Sequence, residues 1–223
     1  AMSKKDIEDC IAAYAEAAAN AKKVGFDGVE IHGAHGYLID QFFWERSNLR
    51  EDEYGGSFDN RNRFAKEVVE AVRAAVGPEF MIVFRFSQWK IDDYETKIAK
   101  TPEELERFLK TLSVAGVDVF HASTRRFWRP EYEGSDLNLA GWAKKLSGKP
   151  VITVGSIGLD DPSWAAANST DVDELVKRMA EGEFDFAAVG RQLLSEPNWP
   201  IKVREGRYQE IEPYTQESLS GLH

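Results

Sequence analysis

The sequence predicts an α/β protein built of parallel β/α units. One junction recurs along the chain: a segment with helical periodicity ends in glycine, and a short strand rich in valine, isoleucine and phenylalanine follows an aspartate. It is present in KKVGFDGVEIH, SVAGVDVFHAS and AEGEFDFAAVG. Strands this apolar, separated by helices, are typical of a parallel sheet covered by helices. Two architectures fit these observations, an open doubly wound sheet and a (β/α)8 barrel.

The elements follow from periodicity and from helix caps. Ser3 is the predicted cap of the first helix, with Asp6 three residues on, and Thr101, Pro102 and Glu104 form a predicted capping box with proline at the first helical position. No linker or break in composition divides the chain, so we predict a single domain over residues 1–223. The predicted strands are 28–32, 80–86, 117–122, 150–155 and 185–189, and the predicted helices are 3–23, 60–76, 101–114, 171–181 and 197–204.

Composition excludes several classes of partner. The chain has 38 acidic and 28 basic residues, a formal net charge of −10, and no basic stripe for a nucleic-acid backbone. No apolar run approaches the ~20 residues that span a bilayer, so we expect no membrane association. The lone cysteine, Cys10, offers no disulfide, and we therefore expect a reducing, cytoplasmic compartment.

Two histidines and a tyrosine follow the first predicted strand. His32, His35 and Tyr37 stand in HGAHGYL, where Gly33 and Gly36 permit a sharp turn. Functional loops gather at the carboxyl ends of the strands in both architectures. These three side chains are therefore candidates for a site.

The spacing of the histidines has two other interpretations. A His-x-x-His pair occurs in metal sites, but zinc takes three or four ligands, and Asp40 is the one nearby acid at ligand spacing. We therefore predict no metal site. As an isolated motif the pair is also typical of turn histidines that bind nothing.

An arginine lies within the second predicted strand. Strand alternation places Met81, Val83 and Arg85 of MIVFRFS on one face. A buried arginine needs an anionic partner. The partner is either a ligand or Glu30, which points to the same side as His32.

The last two predicted strands end in glycine followed by a polar residue. TVGSIG contains Gly155 and Ser156, and AAVGRQLL contains Gly190 and Arg191. Glycine lets the backbone approach an anion, and (β/α)8 barrels frequently bind phosphate with their last two loops. The joint occurrence at two successive strand ends favours a phosphate site over ordinary tight turns.

These motifs together carry a family resemblance. VGFDGVEIHGAHGYLIDQFF resembles the stretch AGFDGVEIHGAHGYL of the old yellow enzyme family of flavin-dependent ene-reductases. The resemblance continues through SNLREDEYGGSFDNRNRFAKEVVEAVR and reaches VGRQLLSEPNWPIK, so it covers most of the chain. FFWERSN departs from the Leu-Ser-Pro run of many members and indicates a subfamily. The family fold is a full (β/α)8 barrel, and this chain resembles its last five strands.

The resemblance implies roles for the candidate residues. His32 and His35 are similar to the pair that binds the carbonyl or nitro oxygen of an electron-poor alkene, and Tyr37 is similar to the proton donor. Arg85 resembles the cation beside the flavin ring. The implied cofactors are FMN and NAD(P)H, in a ping-pong reaction with a small α,β-unsaturated substrate. The implied phosphate-binding residues of FMN are Gly155, Ser156, Gly190 and Arg191.

An incomplete barrel implies an open edge and leaves alternatives. Five strands cannot close the cylinder, so we expect the exposed edges to be covered by a complementing N-terminal barrel segment or by a second copy in a homo-oligomer. We also expect the chain alone to retain FMN weakly.

Two alternatives to the flavin-dependent function are a non-catalytic fragment or self-assembling half-barrel scaffold without cofactor, and another phosphate-binding TIM-barrel enzyme. The latter requires a catalytic lysine or glutamate at a strand end, and none is predicted there.

Overall fold

A computed structural model describes residues 1–159 and 170–221. It contains a five-stranded parallel sheet with the strands in chain order, as expected for successive β/α units. The strands are β1 (Gly28–His35), β2 (Met81–Lys90), β3 (Val119–Ser123), β4 (Val151–Val154) and β5 (Phe186–Ala187). All five predicted strands are present. The first two extend three to four residues beyond their predicted ends, and the last is shorter than predicted.

Eight α-helices are present in the described ranges. They are α1 (Lys4–Lys23), α2 (Leu38–Phe43), α3 (Phe58–Val76), α4 (Pro102–Ala115), α5 (Leu139–Ser147), α6 (Thr170–Ala180), α7 (Gln192–Ser195) and α8 (Trp199–Arg204), with 3-10 helices at Tyr208–Glu210 and Gln216–Leu219. Helices α2, α5 and α7 were not predicted, since α2 and α7 are single short turns and a glycine interrupts the first turn of α5. No helix among these residues is long and apolar enough to cross a bilayer.

The fold divides into two compact units. Unit 1 comprises Ala1–Ala122 with Ala143–Pro150, and unit 2 comprises Ser123–Trp142 with Val151–His223. The single domain over 1–223 stays a prediction.

The helix caps follow the predicted pattern with one difference. Ser3 and Asp6 form a complete capping box at the start of α1. The Thr101 side chain accepts from the backbone N–H of Glu104 as predicted. The Glu104 carboxylate, however, accepts from the N–H of Lys100 at 2.7 Å, one residue before the position that a capping box requires.

The core of unit 1 packs on one face of β2. Ile82, Phe84 and Phe86 are fully buried, as the alternation predicts. Phe84 and Phe86 contact the ring of Phe108 on α4, with ring centroids 6.3 and 5.4 Å apart. The opposite face of β2, which carries Arg85, is therefore free to contribute to a site.

The aspartate side chains at two of the three recurring junctions bind neighbouring strands. Asp118 accepts from the backbone N–H of Ile82 at 2.8 Å and pairs with Arg73, and in unit 2 Asp185 accepts from the N–H of Val151 at 2.9 Å. Each carboxylate accepts a hydrogen bond from a backbone N–H at the start of the preceding strand. The aspartate that follows the glycine at these two junctions thus has a structural role.

Candidate active site

Strand β1 carries the first histidine and continues past it. His32 lies opposite Arg85 in the β1–β2 ladder, and the register then shifts between Gly33 and His35. The strand therefore ends at His35, three residues beyond its predicted end at residue 32. A Cβ on Gly33 would lie 2.4 Å from Cζ of Phe84. This glycine permits close packing against β2 and does not form the predicted turn.

The turn itself begins at His35. His35 and Gly36 both have positive φ angles, 65° and 83°. For a residue other than glycine such a conformation is strained and must be held by its surroundings. The backbone N–H of His35 donates to Oγ of Ser87 at 2.9 Å, and the N–H of Gly36 donates to Oδ2 of Asp40 at 2.6 Å.

The three predicted side chains come together at this turn. The ring of His32 lies 5.3 Å from the ring of His35 and 5.3 Å from the ring of Tyr37, measured between centroids. Tyr37 is 54% exposed, so its hydroxyl is accessible. The ring of His35 stacks on Trp89, with centroids 4.4 Å apart. The sequence did not predict a role for Trp89.

Burial keeps both histidines neutral. Burial, assisted by the positive charge of Arg85, lowers the pKa of His32 below its ordinary value. The same two causes, with His32 as a third, lower the pKa of His35 to about 4. At neutral pH each ring is therefore an uncharged imidazole that can donate one N–H.

Arg85 forms no ion pair with any residue in 1–159 or 170–221. Its Nε is buried and makes no hydrogen bond to any described residue. The alternative pairing with Glu30 does not occur, because the Glu30 carboxylate lies 2.6 Å from Nδ1 of His121 on β3. A partly exposed guanidinium whose buried Nε has an unused donor is suited to bind an anion or a carbonyl-rich ring.

A buried ion pair lies behind the turn. Nζ of Lys90 and Oδ1 of Asp40 are 2.6 Å apart, and both side chains are fully buried. Asp40 is thus engaged by a lysine, and no three His, Cys, Asp or Glu side chains in residues 1–159 and 170–221 are grouped to hold a metal. The prediction that no lysine stands at a strand end is wrong, because β2 extends to Lys90. Since this lysine is inaccessible, it does not form an aldolase-type site.

Unit 2 contains the first pair of predicted phosphate-binding residues. A Cβ on Gly155 would lie 2.5 Å from Oγ1 of Thr124, so packing alone requires this glycine. Ser156 has a φ of 54°, and its hydroxyl donates to the carbonyl oxygen of Arg125 at 2.8 Å. A left-handed residue in a loop is typical of backbone nests that bind anions.

The second pair follows the neighbouring strand of the same unit. β4 and β5 are paired in parallel, with Thr153 opposite Ala187, so Gly155 and Gly190 follow adjacent strand ends. A Cβ on Gly190 would meet no atom of the described residues within 4 Å. Packing therefore does not explain this glycine. The Arg191 guanidinium lies over the ring of Tyr214, 5.7 Å from its centroid.

Comparisons with known proteins identify the family. The model of the NADH:flavin oxidoreductase / NADH oxidase family matches residues 1–210. The chain belongs to this family. It is 42% identical over 218 residues to an NADH oxidase of Thermoanaerobacter brockii, covering 94% of this chain and 31% of that protein. It is 36% identical to an NADPH dehydrogenase of Clostridium acetobutylicum, covering 88% of this chain and 54% of that protein.

A solved structure confirms the fold of this family member. Morphinone reductase, solved in complex with tetrahydroNAD, superposes with a TM-score of 0.73 at 25% identity, over 98% of this chain and 53% of that one. The chain thus spans about half, or less, of the length of the relatives it matches. The predicted five-strand portion of a (β/α)8 barrel is confirmed, and the family indicates FMN and NAD(P)H as cofactors.

Several residues at the site were missed from the sequence. Ser87 and Trp89 contact His35, and Asp40 and Lys90 form the pair behind the turn. A signal was available, because Asp40 stands in the apolar run YLIDQFF and Lys90 ends FRFSQWK. Opposite charges in two apolar segments indicate a buried pair.

Proposed function

We propose that this chain provides the substrate-binding and FMN-binding portion of an oxidoreductase of the old yellow enzyme type. The reaction is reduction of the activated C=C bond of an α,β-unsaturated carbonyl or nitro compound with NAD(P)H. One observation carries this proposal. At the end of β1, the rings of His35 and Tyr37 each lie 5.3 Å from the ring of His32, measured between centroids. Bound FMN supplies the hydride that NAD(P)H delivers.

The histidine pair binds the substrate oxygen. As hydride reaches the β-carbon, negative charge develops on the carbonyl or nitro oxygen. Two neutral imidazole N–H donors, preorganised at one strand end, stabilise this charge in the transition state. The lowered pKa values of His32 and His35 support this role, since the uncharged rings do not attract a competing anion at neutral pH.

Tyr37 delivers the proton to the α-carbon. A phenol carries its proton at neutral pH and donates it to a developing carbanion. The exposed position of Tyr37 beside His32 allows a substrate held by the histidines to reach the hydroxyl. The chain thus places an oxygen-binding group and a proton donor on one turn.

Arg85 contacts the ring of FMN. The unpaired, buried Nε of Arg85 fits an oxygen or nitrogen of the flavin pyrimidine edge. The cation also stabilises the negative charge of the reduced ring. Because Arg85 lies opposite His32 in the strand ladder, the flavin contact and the substrate contact are neighbours.

The phosphate of FMN is assigned to the loops after β4 and β5. The left-handed Ser156 and the unobstructed Gly190 support backbone binding of the phosphate. Arg191 supplies a cation. Gly155 contributes by packing on Thr124, which sets the path of the loop.

The chain spans only part of its relatives' length, and this determines which partners we propose. Because the chain spans about half of its relatives, we propose that a complementing N-terminal barrel segment or a second copy completes the site in vivo. The ligands are small molecules, and FMN retention by the chain alone is weak. Size-exclusion chromatography with a flavin spectrum tests this, and a yellow, monodisperse monomer would contradict it. The cytoplasmic location stays a prediction.

The function is tested by titration and anaerobic turnover. FMN is titrated into the chain, and quenching of flavin fluorescence measures binding. The complex is then bleached with NADPH or NADH without oxygen, and 2-cyclohexenone is added. We expect the oxidised flavin spectrum to return and cyclohexanone to form. Saturated cyclohexanone is the matched control, since it has no activated double bond and must not reoxidise the flavin.

Two results would contradict the proposal. A chain that binds no FMN even at high concentration would favour the cofactor-free fragment or scaffold. A chain that binds FMN, is bleached by NAD(P)H and returns no product would contradict ene reduction by this chain on its own while retaining the flavin site. No observation in the described residues favours another phosphate-binding TIM-barrel enzyme.

A further inference from the structure

The buried pair formed by Asp40 and Lys90 is not used by the proposed chemistry. Both side chains have no exposed surface, and the charged atoms are 2.6 Å apart. A fully buried ion pair adds little stability, because the desolvation of two charges offsets their attraction. An apolar pair of similar size would fill the same space. The position of the pair therefore requires another explanation.

The two oxygens of Asp40 have separate partners. Oδ1 binds Nζ of Lys90, and Oδ2 accepts from the backbone N–H of Gly36 at 2.6 Å. Lys90 also donates to the carbonyl oxygen of Gln88 at 3.3 Å. The pair thus connects α2, the turn after β1 and the end of β2.

The same end of β2 holds His35 from two further directions. Ser87 accepts from the backbone N–H of His35, and Trp89 stacks on its ring. In the ladder, Lys90 lies opposite His35 itself. The left-handed conformation of His35 is thus fixed by side chains that Lys90 and its neighbours provide.

We propose that Asp40 and Lys90 are positioning residues: the pair holds the turn from His35 to Tyr37 so that both side chains face the same space as His32. The hydrogen bond from Gly36 to Asp40 transmits this restraint, and Lys90 compensates the charge of the buried carboxylate. This inference rests on the proposed function for its catalytic meaning. The geometric part stands without it and is measured separately.

Two double variants test the restraint. D40N/K90M removes both charges and keeps an amide oxygen that accepts from the Gly36 N–H. D40L/K90M removes both charges and that acceptor as well. Neither leaves an unpaired buried charge, which would unfold the chain for an unrelated reason. The matched control is E45Q/K100M, which neutralises an exposed pair with side chains 60% and 65% accessible.

The first measurement does not depend on function. Stacking on Trp89 shifts the proton NMR signals of the His35 ring, which are assigned by comparison with His35→Ala. We expect the shift to persist in D40N/K90M and in E45Q/K100M and to collapse towards the free-histidine value in D40L/K90M. Hydrogen exchange of the Gly36 amide should accelerate in D40L/K90M alone. Identical His35 signals in both double variants would overturn the proposal.

The second measurement connects the restraint to the site. With FMN added, affinity for p-hydroxybenzaldehyde should fall about tenfold in D40L/K90M relative to D40N/K90M, the loss expected for one misplaced charge-stabilising donor. If the His35 signal moves while phenol affinity is unchanged, the positioning role stands and the substrate-oxygen role of His35 is wrong. If D40L/K90M does not fold, D40S/K90M, whose hydroxyl ends one bond short of Gly36, replaces it in both comparisons.

Discussion

The Glu30 carboxylate and Nδ1 of His121 lie 2.6 Å apart, on the two strands that flank the strand of Arg85. Burial raises the pKa of Glu30, but the hydrogen bond and charge of His121, with the charge of Arg85, outweigh it and lower the pKa overall. The carboxylate is therefore ionised and committed to His121. Because of this, Arg85 keeps a free donor for a ligand.

Removal of His121 should redirect Glu30 to Arg85. In His121→Leu the carboxylate loses its hydrogen-bond partner, and we expect it to pair with the nearby guanidinium. FMN affinity, measured by fluorescence quenching, should then fall about 10- to 100-fold, since one charge-assisted contact is worth about 1.5–3 kcal/mol. In E30Q/H121L no carboxylate is present to compete, so affinity should recover. Equal FMN affinities in the two variants would contradict this competition.

His32 should bind the oxygen of a phenol that mimics the charged transition state. In the FMN complex, p-hydroxybenzaldehyde should produce a charge-transfer band at long wavelength. We expect His32→Ala to lose about 2.7–4 kcal/mol of this binding, the loss typical of an oxyanion donor. E30Q/H121L, in which FMN affinity is expected to recover, controls for the loss of a histidine ring from the same sheet. Unchanged phenol affinity in His32→Ala would exclude the assignment.

Tyr37 should be needed for only one of the two half-reactions. Tyr37→Phe preserves the ring beside His32 and removes the proton. Stopped-flow kinetics should show flavin reduction by NAD(P)H close to wild type, whereas reoxidation by 2-cyclohexenone should slow about 10²–10⁴-fold. Tyr94→Phe is the control, because this tyrosine contacts Trp89, which stacks on His35, and has no proposed role in proton transfer. If both half-reactions of Tyr37→Phe slow equally, Tyr37 has a structural role instead.

Local patterns in the sequence predicted the residues that the site brings together. His32, His35 and Tyr37 lie within six positions, and strand alternation alone assigns Arg85 to the face of β2 opposite Ile82 and Phe84. The helix caps at Ser3 and Thr101 were likewise visible, since a cap depends on neighbours three residues away.

Contacts between distant segments could not be predicted in the same way. Asp40 and Lys90 are 50 positions apart, and Glu30 and His121 are 91 apart. Both pairs depend on the strand register, and the register of β1 shifts after Gly33. A one-residue difference in register exchanges the faces of a strand, so periodicity does not determine which charges meet.

The stability of the fold should depend on pH through His35. Its pKa falls from an ordinary value of 6.5 to about 4 in the folded protein. Between these values the unfolded chain binds a proton that the folded chain does not, so the free energy of unfolding rises with pH across this window and is level above it. The full effect is about 3 kcal/mol at most and about 1–2 kcal/mol after solvent screening of a partly accessible ring.

The variant His35→Gln tests this prediction, because its side chain cannot bind the proton. Urea unfolding of both proteins at pH 4.5 and pH 7.5 should therefore show the wild type gaining stability relative to His35→Gln as the pH rises. Asp40, whose pKa burial raises to about 6, acts in the opposite direction but is present in both proteins and cancels in the comparison. A difference between the two proteins that does not change with pH would show that His35 titrates normally and is not buried as a neutral ring.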